Sequence, residues 1–404
     1  MHNRVAITGF GAISAAGLGA DSLWETAVTG TSRIGALDVP RSERLRVRIA
    51  AAVKDFRPED HLSREELQRT ERFAHFTHVA AAEAINQSGI LPEQLAGSRS
   101  AVIVGTGIGG MTTMDESYAQ FFAGERRLDP FTIPKVMPSA GASHLSIVHK
   151  ITGPSFAVSS ACSSGTQAIG LAMQMVRHGL VDRALVGGSE ASLTAATMKS
   201  WELMRVLSPD KCRPFSKDRN GLILGEGAGI FVLESEASMN ARSAKPLAWL
   251  SGYGTSSDAK DIIQPDEEGA ARAMQLALED AGLEPGEIGY INAHGTGTIL
   301  NDINETAAIK RVFGKRTSTI PVSSVKQLIG HTLGASGALE FVVTVKSLIE
   351  KACPPHTNLS EPDPRCDLYL PEQSVGLASS KAVLCNSFAF GGVNASLVAT
   401  RVAD

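Results

Sequence analysis

The sequence predicts an α/β protein in which helices cover buried sheets. Three observations lead to this prediction: short β-rich runs that end near a glycine recur along the chain, helical patterns lie between them, and 39 glycines supply tight turns. The composition fits this class, because 43% hydrophobic, 20% charged and 5% aromatic residues are typical of a globular protein. A chain of 404 residues can bury a large core.

The predicted strands alternate with the predicted helices from one end of the chain to the other. In chain order the strands are VAITGFG (5–11), AVIVGTG (101–107), ALVGGSE (184–190), AGIFVLES (228–235), YINAHGTG (290–297) and LCNSFAFGG (384–392). The helical patterns cover residues 72–89, 166–179, 267–282, 304–314 and 333–350. This alternation predicts sheets whose faces are covered by helices.

A rough internal repeat predicts two duplicated halves. VSSACSSGTQAIGLA and SSVKQLIGHTLGASGALE both run from a turn of small residues into an apolar helix. A polar stretch at 237–249 lies between the two segments. We therefore expect an N-terminal half at residues 1–240 and a C-terminal half at residues 241–404.

Charge and hydropathy argue against several classes of function. The formal net charge is −4 and there is no long basic run, so we expect no nucleic-acid partner. No apolar run is long enough to cross a bilayer, and the start MHNRVAIT has no signal-peptide pattern. We therefore expect no membrane partner and a cytoplasmic location.

Two further patterns point away from metal and nucleotide sites. The five cysteines are scattered without a C-x-x-C pair, which argues against a disulfide framework and a zinc knuckle. GTGIGG (105–110) matches a dinucleotide-binding pattern, but Glu125, the acidic residue at the required spacing, lies in a predicted helix end and loop. We expect a glycine turn that lines a pocket, and no nucleotide site.

Cys162 stands between the β-type run SFAVSS and the predicted helix at 166–179. A helix that begins near Cys162 would favour the thiolate, because its dipole and its free backbone N–H groups face the sulfur. The same N–H groups could hold the oxyanion of a tetrahedral acyl intermediate. On its own, the cysteine is better explained as a buried residue in a tight turn, and the remaining motifs reverse that preference.

Two histidines lie in similar glycine-rich surroundings. His294 follows a predicted strand in NAHGTGT, and His331 lies in VKQLIGHTLGASGA, with Lys326 five residues before it and Glu340 nine after. With Cys162 they suggest a nucleophile that works with two hydrogen-bond donors. Zinc is the rival interpretation, but no pair has ligand spacing and no set of four ligands is evident.

A fourth segment, NSFAFGGVNAS (386–396), could bring backbone N–H groups to a reacting centre. With SSACSSG, NAHGTGT and VKQLIGHTLGASGA, in that order, it makes the chain resemble the β-ketoacyl-ACP synthases of KAS I/II type, condensing enzymes of the thiolase-like superfamily. The resemblance covers essentially the whole chain. It implies a five-layered αβαβα fold made of two duplicated halves, usually in a dimer.

The resemblance implies a role for each central residue. Cys162 would take an acyl chain from acyl carrier protein as a thioester, with the N–H groups of Cys162 and Phe388 as the oxyanion hole. His294 and His331 would donate hydrogen bonds to malonyl thioester, so that loss of CO₂ leaves an enolate that attacks the acyl carbonyl. A thiolate suits this exchange, because it is both nucleophile and leaving group. No cofactor is implied, since phosphopantetheine arrives on the carrier protein.

Charged residues take supporting roles by the same resemblance. Lys326 and Glu340 would support the second histidine. Asp302 and Glu305 match acidic positions downstream of the first histidine, and a structural ion pair explains those two equally well.

Further residues would contact the substrate. Thr296 and Thr298 would hydrogen-bond the phosphopantetheine arm, and Phe388 would be the gate that moves when the acyl chain enters. Thr132 stands where a bulky aromatic is common, so we expect a longer or differently shaped acyl pocket near Ile108 and the dimer interface.

The spelling of the motifs narrows the expectation within the family. Fatty-acid elongating enzymes commonly have HGTST followed by a segment that contains proline, whereas this chain has HGTGTILNDINET. This motif resembles more closely that of ketosynthase subunits of type II polyketide and polyene systems. Such a subunit would form a heterodimer with a homologous chain-length factor that lacks the cysteine. Ala389, where glycine is usual beside the gate, would stiffen its loop.

Three alternatives remain open. The chain could be a homodimeric fatty-acid elongating 3-oxoacyl-ACP synthase II. It could be a non-catalytic chain-length or structural partner, although such partners usually lack the nucleophile. A degradative thiolase would need a second cysteine, for which Cys385 is the candidate.

Overall fold

The computed structural model describes residues 3–402 as a mixed α/β structure. The strands are, in chain order, β1 (Val5–Ser14), β2 (Gly17–Leu18), β3 (Gly35–Ala36), β4 (Ile49–Ala50), β5 (Ser100–Gly105), β6 (Ser155–Val158), β7 (Arg183–Glu190), β8 (Gly227–Ser235), β9 (Ala248–Ser257), β10 (Ile288–Asn292), β11 (Val322–Ser323), β12 (Ala352–Cys353), β13 (Val375–Gly376), β14 (Ala382–Ala389) and β15 (Val393–Thr400). The helices are α1 (Ala20–Thr29), α2 (Arg64–Arg69), α3 (Arg72–Ser88), α4 (Pro92–Leu95), α5 (Met111–Phe122), α6 (Thr132–Val136), α7 (Ala140–Val148), α8 (Ser164–Arg177), α9 (Ala195–Leu203), α10 (Glu236–Ala241), α11 (Glu267–Ala281), α12 (Ile299–Phe313), α13 (Lys326–Ile329) and α14 (Ser336–Ile349).

The large sheet repeats one pattern of pairing in its two parts. Strands β6-β5-β7-β8-β1 form one part and β11-β10-β14-β15-β9 the other. In each part the first two pairs are parallel and the next two antiparallel. Within residues 3–402, the two parts of the sheet are joined by the pairing of Val5–Ile7 of β1 with β9. The predicted boundary at 240 falls in the link between β8 and β9, and the division into two domains stays a prediction.

Helices pack in three layers around these strands. Helices α3 and α7 cover the outer face of the first part, and α11 and α12 lie on the outside of the second. Helices α8 and α14 pack against each other between the two parts, where α8 contacts β5 and β7 and α14 contacts β14. The expected thiolase-like arrangement of five layers is confirmed.

The two central helices begin in the same way. A 3₁₀ turn precedes each helix, at Ala161–Ser163 before α8 and at Leu333–Ala335 before α14. The first residue of each turn has a left-handed backbone, with φ of 51° at Ala161 and 48° at Leu333. A non-glycine residue in this conformation costs of order 1–3 kcal/mol, so packing around the turns must hold them. The strained turns correspond to the internal repeat seen in the sequence.

The sequence-based elements agree with the structure except where two predicted strands end at the site. The strand predicted at 384–392 ends at Ala389. Residues 290–297 were expected to form one strand, but β10 ends at Asn292. The loop that follows turns away from the sheet because carboxylates of α12 bind its backbone N–H groups. All five cysteines are buried with free thiols. Among residues 3–402, no helix has the length and apolar character needed to cross a membrane.

The contact between α8 and α14 gives a testable prediction. A methyl group at Gly337 would overlap Thr166 Oγ1 and lie 2.8 Å from Ser387 Oγ. These two hydroxyls share a hydrogen bond of 2.7 Å. We expect Gly337→Ala to lower the free energy of unfolding by about 1–3 kcal/mol through overpacking, as measured by denaturant titration.

Gly376→Ala is the matched control, because a methyl group there meets nothing within 4 Å. We expect it to change stability by less than about 0.5 kcal/mol. Equal stability of the two variants would contradict the proposed close packing of the central helices.

Candidate active site

Cys162 lies directly before helix α8, as predicted. It is 6% exposed and occupies the 3₁₀ turn directly before α8. The strained residue Ala161 directs the chain from β6 into this turn. The turn is fixed by the hydroxyl of Ser164, which donates to the Ala161 carbonyl at 2.6 Å and accepts from the Ser160 N–H at 2.9 Å.

Two backbone N–H groups are directed at the sulfur. Burial raises the pKa of the Cys162 thiol to about 11, and the Lys326 charge, the Phe390 N–H and the Cys162 N–H act in the opposite direction. The sequence-based assignment of the second donor to Phe388 is wrong. Phe388 belongs to β14, opposite Asn394, whereas Phe390 lies in the turn that follows the strand. The aromatic–x–aromatic spacing before Gly-Gly was the available signal, but it does not say which aromatic leaves the strand.

The same observation bears on the expected gate. Phe388 is 7% exposed and its ring packs against His294, with 6.1 Å between centroids. Phe390 is half-buried and stacks on Trp201 at 5.9 Å. Both phenylalanines line the cavity. Because Phe390 lies in a turn and Phe388 in a central strand, Phe390 fits a moving gate better.

The hydrogen bonds of His331 fix its tautomer. The Leu333 N–H donates to Nδ1 at 3.0 Å, and the Ser336 hydroxyl lies 2.8 Å from the same nitrogen. A backbone N–H can only donate, so Nδ1 accepts and the proton of the neutral ring is on Nε2. Burial and the nearby Lys326 charge hold the pKa of His331 well below its usual range. His331 therefore presents a neutral N–H donor.

His294 is held in the same state by Lys326. The ammonium lies 3.2 Å from Nδ1 of His294, donates to the His294 carbonyl at 2.7 Å and pairs with Glu340. Since an ammonium only donates, Nδ1 accepts and Nε2 carries the proton. Burial and the Lys326 charge also hold the pKa of His294 well below its usual range. The expectation that Lys326 and Glu340 support the second histidine is wrong: Lys326 contacts the first histidine, and Glu340 pairs with Lys326.

Two acidic residues of α12 hold the loop that carries His294. Glu305 accepts from the N–H groups of His294 and Gly295 at 2.8 and 2.7 Å. Asp302 accepts from the Gly297 N–H at 3.2 Å and lies 3.5 Å from the buried Arg219 guanidinium. Burial raises the pKa of Glu305 to about 7, although both N–H groups lower it. Glu305 therefore positions the catalytic loop, and Asp302 combines that role with an ion pair.

The site opens into a cleft of about 230 Å³. Cys162, His294, His331 and the hydroxyl pair Thr296 and Thr298 line it; the two hydroxyls are 2.9 Å apart. The rest of the wall is mainly apolar, and its rim includes Trp201, Ile263, Ile299 and Leu300, with Arg205 as a cationic residue.

Two predicted pocket residues and the glycine turn lie elsewhere. Neither Ile108 nor Thr132 lines the cleft as residues 3–402 form it. The turn at 105–110 does not line it either. Its Gly107 N–H instead donates to the buried carboxylate of Glu190, which also accepts from the Gly334 N–H. The glycine turn thus ties the first part of the sheet to the start of α14.

The arrangement can perform thioester chemistry followed by carbanion stabilisation. One ligand-type atom from each of Cys162, His294 and His331 lies within 4.8 Å of the others, and the two imidazoles meet edge to face at 5.4 Å between centroids. The three residues could thus also reach a metal ion. Because Nδ1 of each ring is already occupied, the two Nε2–H groups are donors to an oxygen placed between them.

The comparisons with known proteins agree with this chemistry. The family model for the N-terminal domain of beta-ketoacyl synthase matches residues 2–238, and the model for its C-terminal domain matches residues 247–360. The chain belongs to the β-ketoacyl synthase family. It is thus a condensing acyltransferase, as the sequence predicted.

Relatives of this β-ketoacyl synthase have different names and come from different organisms. It is 43% identical to Nodulation protein E of Rhizobium leguminosarum bv. trifolii, over 100% of both chains. It is 39% identical to 3-oxoacyl-[acyl-carrier-protein] synthase 2 of Staphylococcus aureus (strain COL), over 98% of each. A solved structure described as the ishigamide ketosynthase/chain length factor matches with a TM-score of 0.95 and 33% identity, over 100% of both chains.

The assigned tautomer of His331 predicts a ranking of variants. Removing the Nε2–H donor in His331→Ala should lower the rate of condensation by about 100–1000-fold, while transfer of an acyl group to Cys162 continues. Glutamine can place an amide N–H close to the position of Nε2–H, so His331→Gln should be faster than His331→Ala. Steady-state rates with malonyl-carrier protein, together with the mass of the acylated protein, test this. Equal rates for the two variants would contradict the donor role.

The raised thiol pKa predicts the pH dependence of alkylation. The reactive form is the thiolate, and its fraction rises about tenfold per pH unit below the pKa. The iodoacetamide reaction of Cys162 should therefore accelerate steadily between pH 7 and 10, read as mass increase against a Cys162→Ala control. A rate that levels off below pH 8 would show that burial does not dominate the thiol pKa.

Proposed function

We propose that this β-ketoacyl synthase joins an acyl chain held on Cys162 to malonyl-carrier protein, as the ketosynthase subunit of a type II polyketide or polyene system. The condensation chemistry is supported by one observation. Two backbone N–H groups point at the Cys162 sulfur, and two neutral imidazoles present Nε2–H donors in the same cleft. The motif spelling HGTGTILNDINET and the similarity to a ketosynthase/chain length factor structure support the polyketide part.

The first half-reaction transfers the acyl group. The Cys162 thiol loses its proton and forms a C–S bond with the acyl carbonyl, and the carrier thiolate leaves and takes up a proton. The tetrahedral oxyanion accepts hydrogen bonds from the N–H groups of Cys162 and Phe390.

The second half-reaction forms the new C–C bond. Loss of CO₂ from the malonyl thioester leaves its electron pair in an enolate, whose oxygen accepts from Nε2–H of His294 and His331. The enolate carbon attacks the acyl carbonyl, and the Cys162 thiolate leaves. The electron pairs come from the Cys162 sulfur and from the substrates, and we propose that no resident cofactor or metal takes part. We propose that the hydroxyls of Thr296 and Thr298, which line the cleft, bind the phosphopantetheine arm.

A partner subunit is proposed from an exposed apolar surface. β6 forms one end of the sheet, and an unpaired edge strand favours pairing with another chain. Helix α7 packs against β6, α6 packs against α7, and α5 packs against α6. These three helices expose large side chains, among them Phe122, Ile133 and Ile147 with exposed fractions of 83%, 68% and 76%. A surface of this kind marks a protein interface. We propose that a homologous chain-length factor covers it, in a cytoplasmic complex that accepts acyl carrier protein.

A second candidate is a homodimeric 3-oxoacyl-ACP synthase of fatty-acid elongation. The observation in its favour is the 39% identity to the Staphylococcus aureus enzyme over 98% of both chains. A non-catalytic partner role has less support, because the nucleophile and both donors are present and correctly paired.

The proposal predicts an acyl adduct and a dependence on a partner. Incubation with acyl-carrier protein should add one acyl mass to the wild-type chain and none to Cys162→Ala. With malonyl-carrier protein, a β-ketoacyl-carrier product should appear only when a homologous neighbour is co-expressed. Intact-mass and native mass spectrometry read both results.

Each other outcome has a clear meaning. Product from the chain alone, as a homodimer, would reject the polyketide proposal in favour of fatty-acid elongation. No acyl adduct under either condition would contradict the catalytic role of Cys162.

Thr132 provides a prediction about chain length. It is half-buried in α6, beside the proposed interface, and its hydroxyl donates to the Asp129 carbonyl at 2.7 Å. If a pocket completed by the partner lies here, Thr132→Phe should fill it and shorten the products, while Thr132→Ser should leave them unchanged. Mass spectrometry of the products in the complete complex tests this. Equal product lengths for all three proteins would remove Thr132 from the acyl pocket.

A further inference from the structure

A second cluster of metal-ligating side chains lies outside the catalytic cleft. Glu66 of α2, His78 of α3 and His144 of α7 each offer one ligand atom, and these atoms all lie within 4.8 Å of one another. None of the three lines the cleft around Cys162, and the proposed condensation uses none of them.

His78 and Glu66 both lie close to one ring nitrogen of His144. Nε2 of His144 lies 3.1 Å from Nδ1 of His78 and 3.7 Å from Oε1 of Glu66. Two atoms bound to one zinc ion are at most about 4.2 Å apart, twice a typical Zn–N distance. Both separations meet this condition.

A hydrogen bond between the two histidines does not explain the whole arrangement. One proton shared by His78 and His144 would satisfy two nitrogens, but Oε1 of Glu66 is 3.7 Å from His144, beyond hydrogen-bond distance. A cation placed among the three atoms satisfies all of them.

The carboxylate is already oriented toward the histidines. The other oxygen of Glu66, Oε2, accepts from the Ser63 N–H at 2.8 Å and from the Ser63 hydroxyl at 2.7 Å. Such hydrogen bonds behind a ligand orient it and strengthen metal binding. The Glu66 side chain is 28% exposed, whereas that of His144 is 7% exposed. An ion can therefore enter from the solvent side.

A third histidine lies next to the cluster. His75 precedes His78 by three residues on α3, so the two share one face of the helix. The ring of His75 forms a hydrogen bond with the backbone carbonyl of Thr70. Its buried Nε2 has no hydrogen-bond partner within residues 3–402, so α3 offers a second nitrogen on the side that carries His78.

We propose that Glu66, His78 and His144 form a site for a divalent transition-metal ion of the zinc class. Two imidazoles and one carboxylate are a donor set that zinc favours, with water completing the coordination. The ion would join α2, α3 and α7. Because α7 packs against β6, metal binding would brace the part of the fold that leads to the proposed partner surface.

The test must separate this site from the catalytic one, because Cys162, His294 and His331 also lie within 4.8 Å of one another. Zn²⁺ titrations are therefore made in Cys162→Ala protein by competition with a chromophoric chelator. We expect one tight site per chain, weakened at least about tenfold by His78→Gln and by Glu66→Gln. The exposed His178, directly after the end of α8, provides the matched control His178→Asn, which should bind as tightly as the parent.

Co²⁺ gives an independent reading. The proposed site should produce visible ligand-field bands without the near-ultraviolet thiolate charge-transfer band, since it contains no sulfur. Saturating Zn²⁺ should raise Tm in the parent but not in His78→Gln. The Tm of each variant without metal shows that it is folded. Absence of a tight site in the Cys162→Ala protein, or binding that His78→Gln and Glu66→Gln leave unchanged, would overturn the proposal.

Discussion

The buried ammonium of Lys326 is the interaction on which the catalytic arrangement depends. It pairs with Glu340 of the central helix α14, donates to the His294 carbonyl and faces Nδ1 of the same ring. It thereby fixes the tautomer of His294. It adds to the effect of burial in keeping both imidazoles neutral, and it opposes the rise that burial causes in the pKa of the Cys162 thiol. Loss of either member of such a buried pair costs about 3–5 kcal/mol, because the other charge is left uncompensated.

The Lys326 charge can act on Cys162 and on both histidines because the two parts of the fold meet at the site. The nucleophile comes from the start of α8 in the first part, and both histidines come from the second. Glu190 joins them by accepting from the N–H groups of Gly107 and Gly334, and the Thr166–Ser387 hydrogen bond joins α8 to β14. Small residues at this contact allow the central helices to approach closely. The strain at Ala161 and Leu333 is stabilised by the same packing.

The sequence predicted six strands of the large sheet, the central helices and the three reacting side chains, because periodicity and ordered motifs are local properties. It did not predict β9 and β15. The sequence-based prediction was wrong where the role of a residue depends on the point at which the backbone turns. The strand continues through Phe388 and releases Phe390, so the oxyanion donor lies two residues further on. Lys326 precedes His331 by five residues yet contacts His294, since α13 brings it across to the loop after β10. The Glu66, His78 and His144 cluster joins three helices, and no spacing in the sequence indicates it.

The central claim is that two neutral imidazoles present Nε2–H donors to the enolate oxygen. The most direct measurement is the position of the ring protons of His294 and His331 at neutral pH, by neutron diffraction from deuterated crystals. The account predicts a proton on Nε2 and none on Nδ1 in both rings. A proton on Nδ1 of either ring, whether as the other tautomer or as an imidazolium, would contradict it.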